Sequence, residues 1–322
     1  MGKIHKPVAG SRGYWPKKRA RRIYPDIVTY RYAKALPAGF AAYKAGMAGV
    51  VISGKGQHEG EGAVQAATIL EAPPLDVIGI ACYRKSEGRM ETAKTIFAPK
   101  LPQHLARKGF FKATPDNEKT ISDTESKITP LDDIRLVVST RPSDIGLKKT
   151  PEVFELPVGG RAEEKWQFAK GVLGKQIYAK DVFEENELVD TIAVTTGKGY
   201  QGVVKRFGVK IRSRKSKKKR RHLGTLGPWH PARVLPGRIA MAGQLGFQRR
   251  TELNKLVLKI GDGGVKIPGG IPHYGEVKGN YMLIKGSVPG HKKRLILLRK
   301  AIRPHALKSK TELKKVILRS QN

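Results

Sequence analysis

Apolar positions along the chain form short runs separated by glycine and proline, rather than long stripes of helical period. The runs are rich in β-branched residues, and this length and composition are typical of β-strands. The pattern predicts strands at residues 50–52, 63–70, 75–83, 134–139, 187–195, 256–260, 281–285 and 295–298. The chain is therefore predicted to be mainly β.

Residues 161–173 have the pattern of a helix instead. Glu163 and Glu164 lie where acidic residues favour a helix N-terminus, while Trp166 and Val172 supply apolar positions. Many strands at irregular spacing, with few helices between them, predict a translation-protein-like β-barrel core interrupted by a small α+β insertion.

The charge of the chain is unevenly distributed, and it separates a near-neutral middle from two cationic ends. The chain has 63 Lys and Arg against 27 Asp and Glu, a net charge of +36, which predicts a polyanionic partner. Residues 1–58 carry 12 basic and one acidic residue, residues 59–190 carry 19 and 22, and residues 191–322 carry 32 and four. The middle of the chain is therefore close to an ordinary globular protein, and both ends are cationic.

Residues 191–251 contain 16 Lys or Arg and no Asp or Glu. Repulsion between like charges opposes compact packing of such a segment alone. Strand-like sequence bounds it on both sides, so we predict a long hairpin-like excursion that is ordered against its partner, with its tip near residues 224–231.

The first 24 residues carry eight Lys or Arg and no acid, interleaved with aromatic residues such as Trp15. An extended binding arm and a solvated tail both fit this composition, and the aromatic rings favour binding because they can stack on bases. The predicted divisions are a basic arm at 1–30, barrel at 31–83, an insertion at 84–186, further barrel at 187–204 and 251–304, the basic loop at 205–250 and a tail at 305–322.

Two glycine patterns suggest nucleotide binding. Residues 49–56 read GVVISGKG, but Gly56 stands where a phosphate-binding loop needs Ser or Thr to hold Mg²⁺, so a turn leaving a buried strand is favoured. Residues 197–202 read GKGYQG, yet no helix is predicted after them and the next acidic residue is Glu252.

The second glycine pattern is therefore interpreted as a close approach of backbone to RNA. Lys198, Lys205 and Arg206 are expected to neutralise phosphates beside it.

Complete catalytic or metal-binding constellations do not occur in the sequence. The eight histidines are scattered, and Cys82 is the single cysteine, which excludes an internal disulfide and fits a reducing cytoplasm. No apolar run reaches the roughly 18 residues of a membrane helix, and no apolar signal core begins the chain. We expect a soluble cytoplasmic protein that is not an enzyme.

Two competing classes are an RNA-directed enzyme and a DNA-compacting basic protein. The first lacks a complete motif for phosphate, metal or nucleophile, and the second leaves the near-neutral middle unexplained.

Trp229 lies in the polycationic segment between Pro228 and Pro231. Stacking on RNA is favoured for it over burial, although burial stays open. His230 has no carboxylate or nucleophile near it in sequence to activate it, so contact with nucleotides is favoured over catalysis.

Three segments carry a family resemblance, in order: TTGKGYQGVVKRFGVK at 195–210, GPWHPARV at 227–234 and AGQLGFQRRTELN at 242–254. They closely resemble the universal large-subunit ribosomal protein L3 family in its archaeal form. The basic N-terminal arm, a GMAG turn at 46–49 and PEVFELPVGG at 151–160 support the resemblance, which is weakest at 84–130 and beyond 304.

The resemblance implies a barrel of the kind found in translation factors, with two extensions that enter ribosomal RNA and no enzymatic activity. It implies a primary binder near the three-prime end of the large-subunit rRNA that nucleates assembly and sends its basic loop toward the peptidyl-transferase centre. Implied partners are this rRNA and neighbouring proteins, including L14 and the archaeal L24e. No membrane, small-molecule substrate or cofactor is implied, apart from structural Mg ions on the bound RNA.

The predicted RNA-binding residues are basic, aromatic or amide side chains of the arm and the loop. Those of the arm are Lys3, Lys6, Arg12, Trp15, Lys17, Lys18, Arg19, Arg21 and Arg22. Those of the loop and its flanks are Lys198, Tyr200, Lys205, Arg206, Lys210, Arg212, Arg214, Lys215, Lys217, Lys218, Lys219, Arg220, Arg221, His222, Trp229, His230, Arg233, Arg238, Gln244, Arg249 and Arg250. No catalytic or metal-binding residues are predicted.

Overall fold

The computed structural model describes residues 18–30, 32, 34–53, 62–87, 89–109, 111, 113, 117–126, 133–216, 219–230, 232–235, 239–265, 269–306 and 311–317. Its strands are β1 (Gly39–Ser53), β2 (Ala63–Glu71), β3 (Leu75–Ser86), β4 (Arg89–Phe97), β5 (Asp133–Ser139), β6 (Val153–Pro157), β7 (Gln176–Ile177), β8 (Leu188–Val194), β9 (Tyr200–Gln201), β10 (Gly243–Gln244), β11 (Arg249–Gly261), β12 (Tyr281–Lys285), β13 (Leu295–Lys300) and β14 (Glu312–Ile317). Its α-helices are α1 (Asn117–Glu125), α2 (Ala162–Val172), α3 (Ala179–Val182) and α4 (Val203–Phe207), and a 3-10 helix covers Gln103–Arg107. The mainly β class is confirmed.

The chain forms two compact units. The first, here the basic unit, comprises Met1–Ile23 and Val194–Arg249. The second, the core unit, comprises Tyr24–Ala193 and Arg250–Asn322.

The larger sheet is organised around β1, the longest strand described. β1 pairs antiparallel with β2 from Tyr43↔Glu71 to Ile52↔Ala63, and the first part of β1 also pairs with β13. The hydrogen-bonded order is β13-β8-β11-β12-β2-β1-β14, and the β13–β1 pairing joins the two ends of the six-strand path from β13 to β1. These six strands therefore make a closed circuit, with β14 outside it on β1.

The smaller sheet has the order β4-β3-β5-β6, with β7 paired to β3. The helix α2 packs against β5. It begins where the sequence predicts because the Glu164 carboxylate accepts a hydrogen bond from the Arg161 N–H, at 3.3 Å, and so satisfies a helix-end donor. Trp166 of α2 is buried in the main apolar cluster of the core unit, together with Phe40 and Leu136.

Two buried carboxylates of the core unit, Asp190 and Asp76, have arginine partners. Asp190 is fully buried and accepts hydrogen bonds from the Arg299 guanidinium at 3.1 Å and from the Asn254 N–H at 3.0 Å. Asp76 accepts from Arg141 Nε at 2.7 Å. A buried carboxylate is tolerated because such partners replace its lost hydration.

Most of the predicted strands agree with the structure. The strand predicted at 281–285 is β12, the one at 134–139 is β5 extended by one residue, and the helix predicted at 161–173 is α2. The turn expected at GMAG is wrong, because residues 46–49 lie within β1 next to a β-bulge between Lys44 and Gly46.

The expectation of no helix after GKGYQG is also wrong. Residues Val203–Phe207 form α4, a single turn that follows Gly202 and ends at Gly208, whose φ of 70° is the left-handed conformation common at helix C-termini. One helical turn leaves too short an apolar pattern to be predicted. The proposed division of the chain into arm, barrel, insertion and loop stays a prediction.

Within the described part of the chain, no helix combines the length and the apolar character needed to span a membrane.

Candidate nucleic-acid interface

The basic unit carries charge of one sign only. Its residues include 23 Lys or Arg and no Asp or Glu, so no ion pair within the unit can neutralise them. Predicted cations whose side chains the structure shows to be exposed are Lys18, Arg19, Arg21, Arg22, Lys198, Lys205, Lys210, Arg212, Arg214, Lys215, Lys219, Arg220, Arg221, Arg233 and Arg249. Such a surface attracts an anionic polymer.

The two ends of the loop meet in a short ladder of backbone hydrogen bonds, which we name the loop base (residues 195–201 and 243–248). The Thr195 N–H donates to the Gln248 carbonyl at 3.0 Å, and the Lys198 N–H donates to the Leu245 carbonyl at 2.9 Å. Further along, β9 and β10 pair antiparallel. The sequence between the two halves is therefore an excursion that returns to its starting point.

Gly246 allows this close approach. Its φ is 72°, a left-handed conformation, and a Cβ added there would lie 2.0 Å from the Thr196 carbonyl oxygen. Any larger residue would clash with backbone that cannot move away. The loop base therefore requires glycine at this position, a requirement that sequence reasoning did not identify.

The arm contacts the same loop base. The Ala20 N–H donates to the Phe247 carbonyl at 2.8 Å. A polar hollow of about 650 Å³ lies here, lined by Lys18, Arg19 and Arg21 on the arm and by Gln244 on the loop. Arm and loop cations predicted separately from the sequence are thus brought to one surface.

The glycine motif at 197–202 lies at the loop base with its side chains in solvent. Lys198 is exposed, and Tyr200 is 77% exposed although it is a large aromatic residue. A solvent-facing ring beside a lysine can stack on a base while the ammonium group neutralises phosphate.

Arg206 differs from the other predicted cations. Its side chain is buried and donates to the Met241 carbonyl at 2.7 Å and to the Gln244 carbonyl at 3.2 Å. The guanidinium also lies 5.1 Å from the ring centroid of Phe207. The structure thus gives Arg206 a role in holding the loop base together, which a sequence rule based on charge could not distinguish from phosphate contact.

The segment with nine cations at 210–221 folds back on itself. The Arg212 N–H donates to the Arg220 carbonyl at 3.1 Å, and the Arg220 guanidinium donates to the Arg212 carbonyl at 3.4 Å. The Arg212 guanidinium reaches the Leu223 carbonyl at 3.1 Å. His222 lines a hollow of about 600 Å³ beside Lys219. Positive charges are therefore held close together, and bound anions would relieve their repulsion.

The predicted tip of the loop exposes apolar side chains. Trp229 is 87% exposed, and Leu226 is also largely exposed, so burial of Trp229 within the protein is excluded. A turn follows, in which the Ala232 N–H donates to the Trp229 carbonyl at 2.7 Å and Ala232 has a φ of 60°. His230 is exposed beside the tryptophan.

Gln244 and the arginines of β11 complete the predicted set. Gln244 is half-buried and its amide donates to the Gly246 carbonyl at 3.0 Å. Arg249 and Arg250 occupy the first two positions of β11. The remaining predicted residues lie outside the described part of the chain: Lys3, Lys6, Arg12, Trp15, Lys17, Lys217, Lys218 and Arg238.

A Ser, a His and an Asp meet in the core unit, but their geometry is not that of a catalytic triad. His104 Nε2 lies 3.3 Å from Ser139 Oγ and 3.4 Å from Asp76 Oδ2. Both partners contact the same nitrogen, so the carboxylate does not orient the ring from its far side. Burial lowers the pKa of His104 despite the nearby Asp76. Among the described residues, no group of three or more His, Cys, Asp or Glu is placed to hold a metal ion.

Comparison with known sequences identifies one family across the chain. The family model for ribosomal protein L3 matches residues 1–320. The large ribosomal subunit protein uL3 of Nanoarchaeum equitans is 44% identical over 310 residues, which cover 96% of this chain and 95% of that protein. The uL3 proteins of Pyrobaculum arsenaticum, at 44%, and Methanocaldococcus jannaschii, at 43%, each cover 94% of this chain and over nine-tenths of their own length.

Proposed function

The chain belongs to the ribosomal protein L3 family, and from this premise we propose that its basic unit binds the large-subunit rRNA. Members of the family are structural constituents of the large ribosomal subunit and not enzymes, and the same holds for this chain. It therefore acts in translation, within cytoplasmic large subunits.

The observation that carries the RNA-binding proposal is the absence of any acidic residue from the basic unit. Most of its described cations are exposed and no carboxylate of the unit can neutralise them, which favours an external polyanion. RNA supplies closely spaced phosphates, and the release of their condensed counter-ions favours binding. Arm and loop cations would then allow RNA helices to approach each other.

The exposed aromatic rings of the tip and of the loop base support contact with unpaired nucleotides. The grooves of A-form RNA hide most base edges from side chains, so sequence-specific contacts are made with single-stranded bases. Trp229 and Tyr200 offer exposed rings for stacking, and Lys198 lies beside Tyr200.

The finer function follows the family resemblance. We propose primary binding near the three-prime end of the rRNA, nucleation of subunit assembly, and support of the peptidyl-transferase centre by the basic loop. We also propose that the core unit contains a barrel of the translation-protein kind. The closed circuit of strands in its larger sheet supports this: β1, β2, β12, β11, β8 and β13. L14 and the archaeal L24e are proposed as neighbours.

Removal of residues 210–240 tests the role of the loop. Because the loop base closes below this segment, the core unit should keep its cooperative unfolding transition, whereas sucrose gradients should show strongly impaired incorporation into large subunits. Circular dichroism of the same variant measures the unfolding transition. Loss of the unfolding transition would mean that the loop is part of the core, and normal incorporation would contradict the proposed role.

Competition distinguishes rRNA binding from general attraction to polyanions. At a salt concentration that suppresses polycation binding, the intact chain should retain large-subunit rRNA in the presence of excess duplex DNA. Equal displacement by DNA would favour a DNA-compacting protein.

A further inference from the structure

A groove of about 930 Å³ crosses the surface of the core unit, and all of its lining residues belong to that unit. Its walls include Met47 of β1, Val64 of β2, Ile271 and Ile317. Met47 is 44% exposed and Val64 is 65% exposed. Two large apolar side chains thus face solvent on one concave surface, which is the arrangement of a binding groove.

Small residues keep the groove open. Ala48, Gly49 and Ala66 line it and have no long side chains to fill it. At Gly46 an added Cβ would lie 2.7 Å from Ile271 Cγ2, so glycine at this position lets the Ile271 side chain pack against β1. The short side chains of Ala48, Gly49 and Ala66 let an extended segment approach β1 and β2 closely.

Two lysines are fixed at the groove by backbone carbonyls. Lys44 Nζ donates to the Val288 carbonyl at 2.6 Å and to the Gly290 carbonyl at 3.0 Å. Lys292 Nζ donates to the Pro272 carbonyl at 2.6 Å. An ammonium group has three donors, so these contacts leave donors on both groups.

The charge at Lys44 is incompletely compensated. Burial lowers its pKa, Glu252 acts in the opposite direction, and the charge of Lys292 lowers it further. Glu252 itself pairs with Lys255 at 2.6 Å. A carboxylate placed at the two ammonium groups would relieve their mutual repulsion.

We propose that this groove holds an extended segment of a neighbouring large-subunit protein, with an aliphatic side chain against Met47 and Val64 and a carboxylate at Lys44 and Lys292. The inference rests on the proposed contacts with neighbouring proteins. RNA is disfavoured as the occupant because Met47, Val64 and Ile317 give the groove an apolar wall, which an aliphatic side chain can bury and a sugar–phosphate backbone cannot.

Photo-crosslinking in assembled particles tests the occupant. Large subunits are purified from cells in which the chain carries a benzophenone amino acid in place of Val64, and crosslinked peptides and nucleotides are identified by mass spectrometry. Position 64 should crosslink to one protein segment that carries Asp, Glu or a C-terminal carboxylate. Val28 provides a matched control, since it is 64% exposed in the core unit and does not line the groove.

Charge variants complete the test. Lys292→Glu should reduce the crosslink from position 64 at least tenfold, and Lys292→Arg should retain it. A crosslink to rRNA, no crosslink, a segment without a carboxylate, the same segment reached equally from position 28, or indifference to Lys292→Glu would each overturn the proposal. The particles are isolated with their rRNA, so a failure here is distinct from a failure of rRNA binding by the basic unit.

Discussion

The two units of the molecule treat charge in opposite ways. In the core unit, buried carboxylates such as Asp190 and Asp133 accept hydrogen bonds from arginine or lysine side chains of the same unit. The basic unit has no Asp or Glu, and Arg206, Arg212 and Arg220 donate to backbone carbonyls instead.

Regular structure follows the same division. The core unit has long strands and a buried apolar cluster, whereas the elements described wholly inside the basic unit are α4, β9 and β10, none longer than five residues. Burial of apolar surface can stabilise the core unit. The basic unit buries little apolar surface to offset the loss of conformational entropy when its cationic chain becomes ordered. We therefore expect the core unit to fold by itself, and the basic unit to become ordered as it binds its proposed polyanionic partner.

A pair of tryptophans gives the largest expected contrast. Trp166 is 1% exposed in the core unit, and its replacement by Ala should reduce the free energy of unfolding by about 3–5 kcal/mol. Trp229→Ala should change it by less than about 0.5 kcal/mol, because its ring is in solvent, but should impair large-subunit function. Urea unfolding and subunit profiles measure the two effects. A large loss of stability in Trp229→Ala would remove the distinction between the units.

Charge removal from the loop should give an intermediate effect. Replacing Lys210, Lys215 and Lys219 by Gln should lower the slope of log affinity for rRNA against log salt by about 2, since each phosphate contact contributes about 0.7 on single strands. Filter binding over a range of salt concentrations measures this slope. The matched control replaces exposed lysines of the core unit, Lys100, Lys149 and Lys175. Equal changes in both triple variants would show that binding depends on net charge alone.

The smallest expected effect is a loss of stability at acidic pH, caused by protonation of the Asp133 carboxylate that is paired in the core unit. Burial alone would raise the pKa of Asp133, but hydrogen bonds from Lys165, Tyr30 and Arg135 outweigh burial and hold the pKa below its ordinary value. A carboxylate with a depressed pKa stabilises the fold above its unfolded pKa of about 3.9, and that contribution is lost as pH falls through the folded pKa.

The stability of the chain should therefore fall as pH decreases below about 4, and Asp133→Asn should show a shallower fall. Urea unfolding between about pH 5 and pH 3 measures both slopes. Asp123→Asn, an exposed change on α1, should keep the parent slope. Identical slopes in the parent and Asp133→Asn would contradict the pairing.

Sequence reasoning predicted the core unit where burial shapes the pattern. β2 is fully buried over its second half and β12 is buried at its centre, so apolar residues predominate in both. β4 was missed because six of its nine positions, beginning at Arg89, are exposed, which leaves no alternation to detect. β14 was missed for a similar reason: it has no fully buried position.

For the proposed interface, charge alone indicated candidate segments but not how each side chain is used. Absence of acid is a property of composition, so it is visible in the sequence. The burial of Arg206 and the closeness of Gly246 to Thr196 depend on which backbone segments meet, and that information is not local. The geometry of the loop base therefore had to come from the structure.

The loop base also bears on how this protein can diverge over time. Because β9–β10 pairing and the contacts of Arg206 with the Met241 and Gln244 carbonyls hold the loop base, residues between Gly208 and Ile239 can be gained or lost without disturbing it. We therefore expect the loop to vary in length among related chains, with glycine kept at position 246.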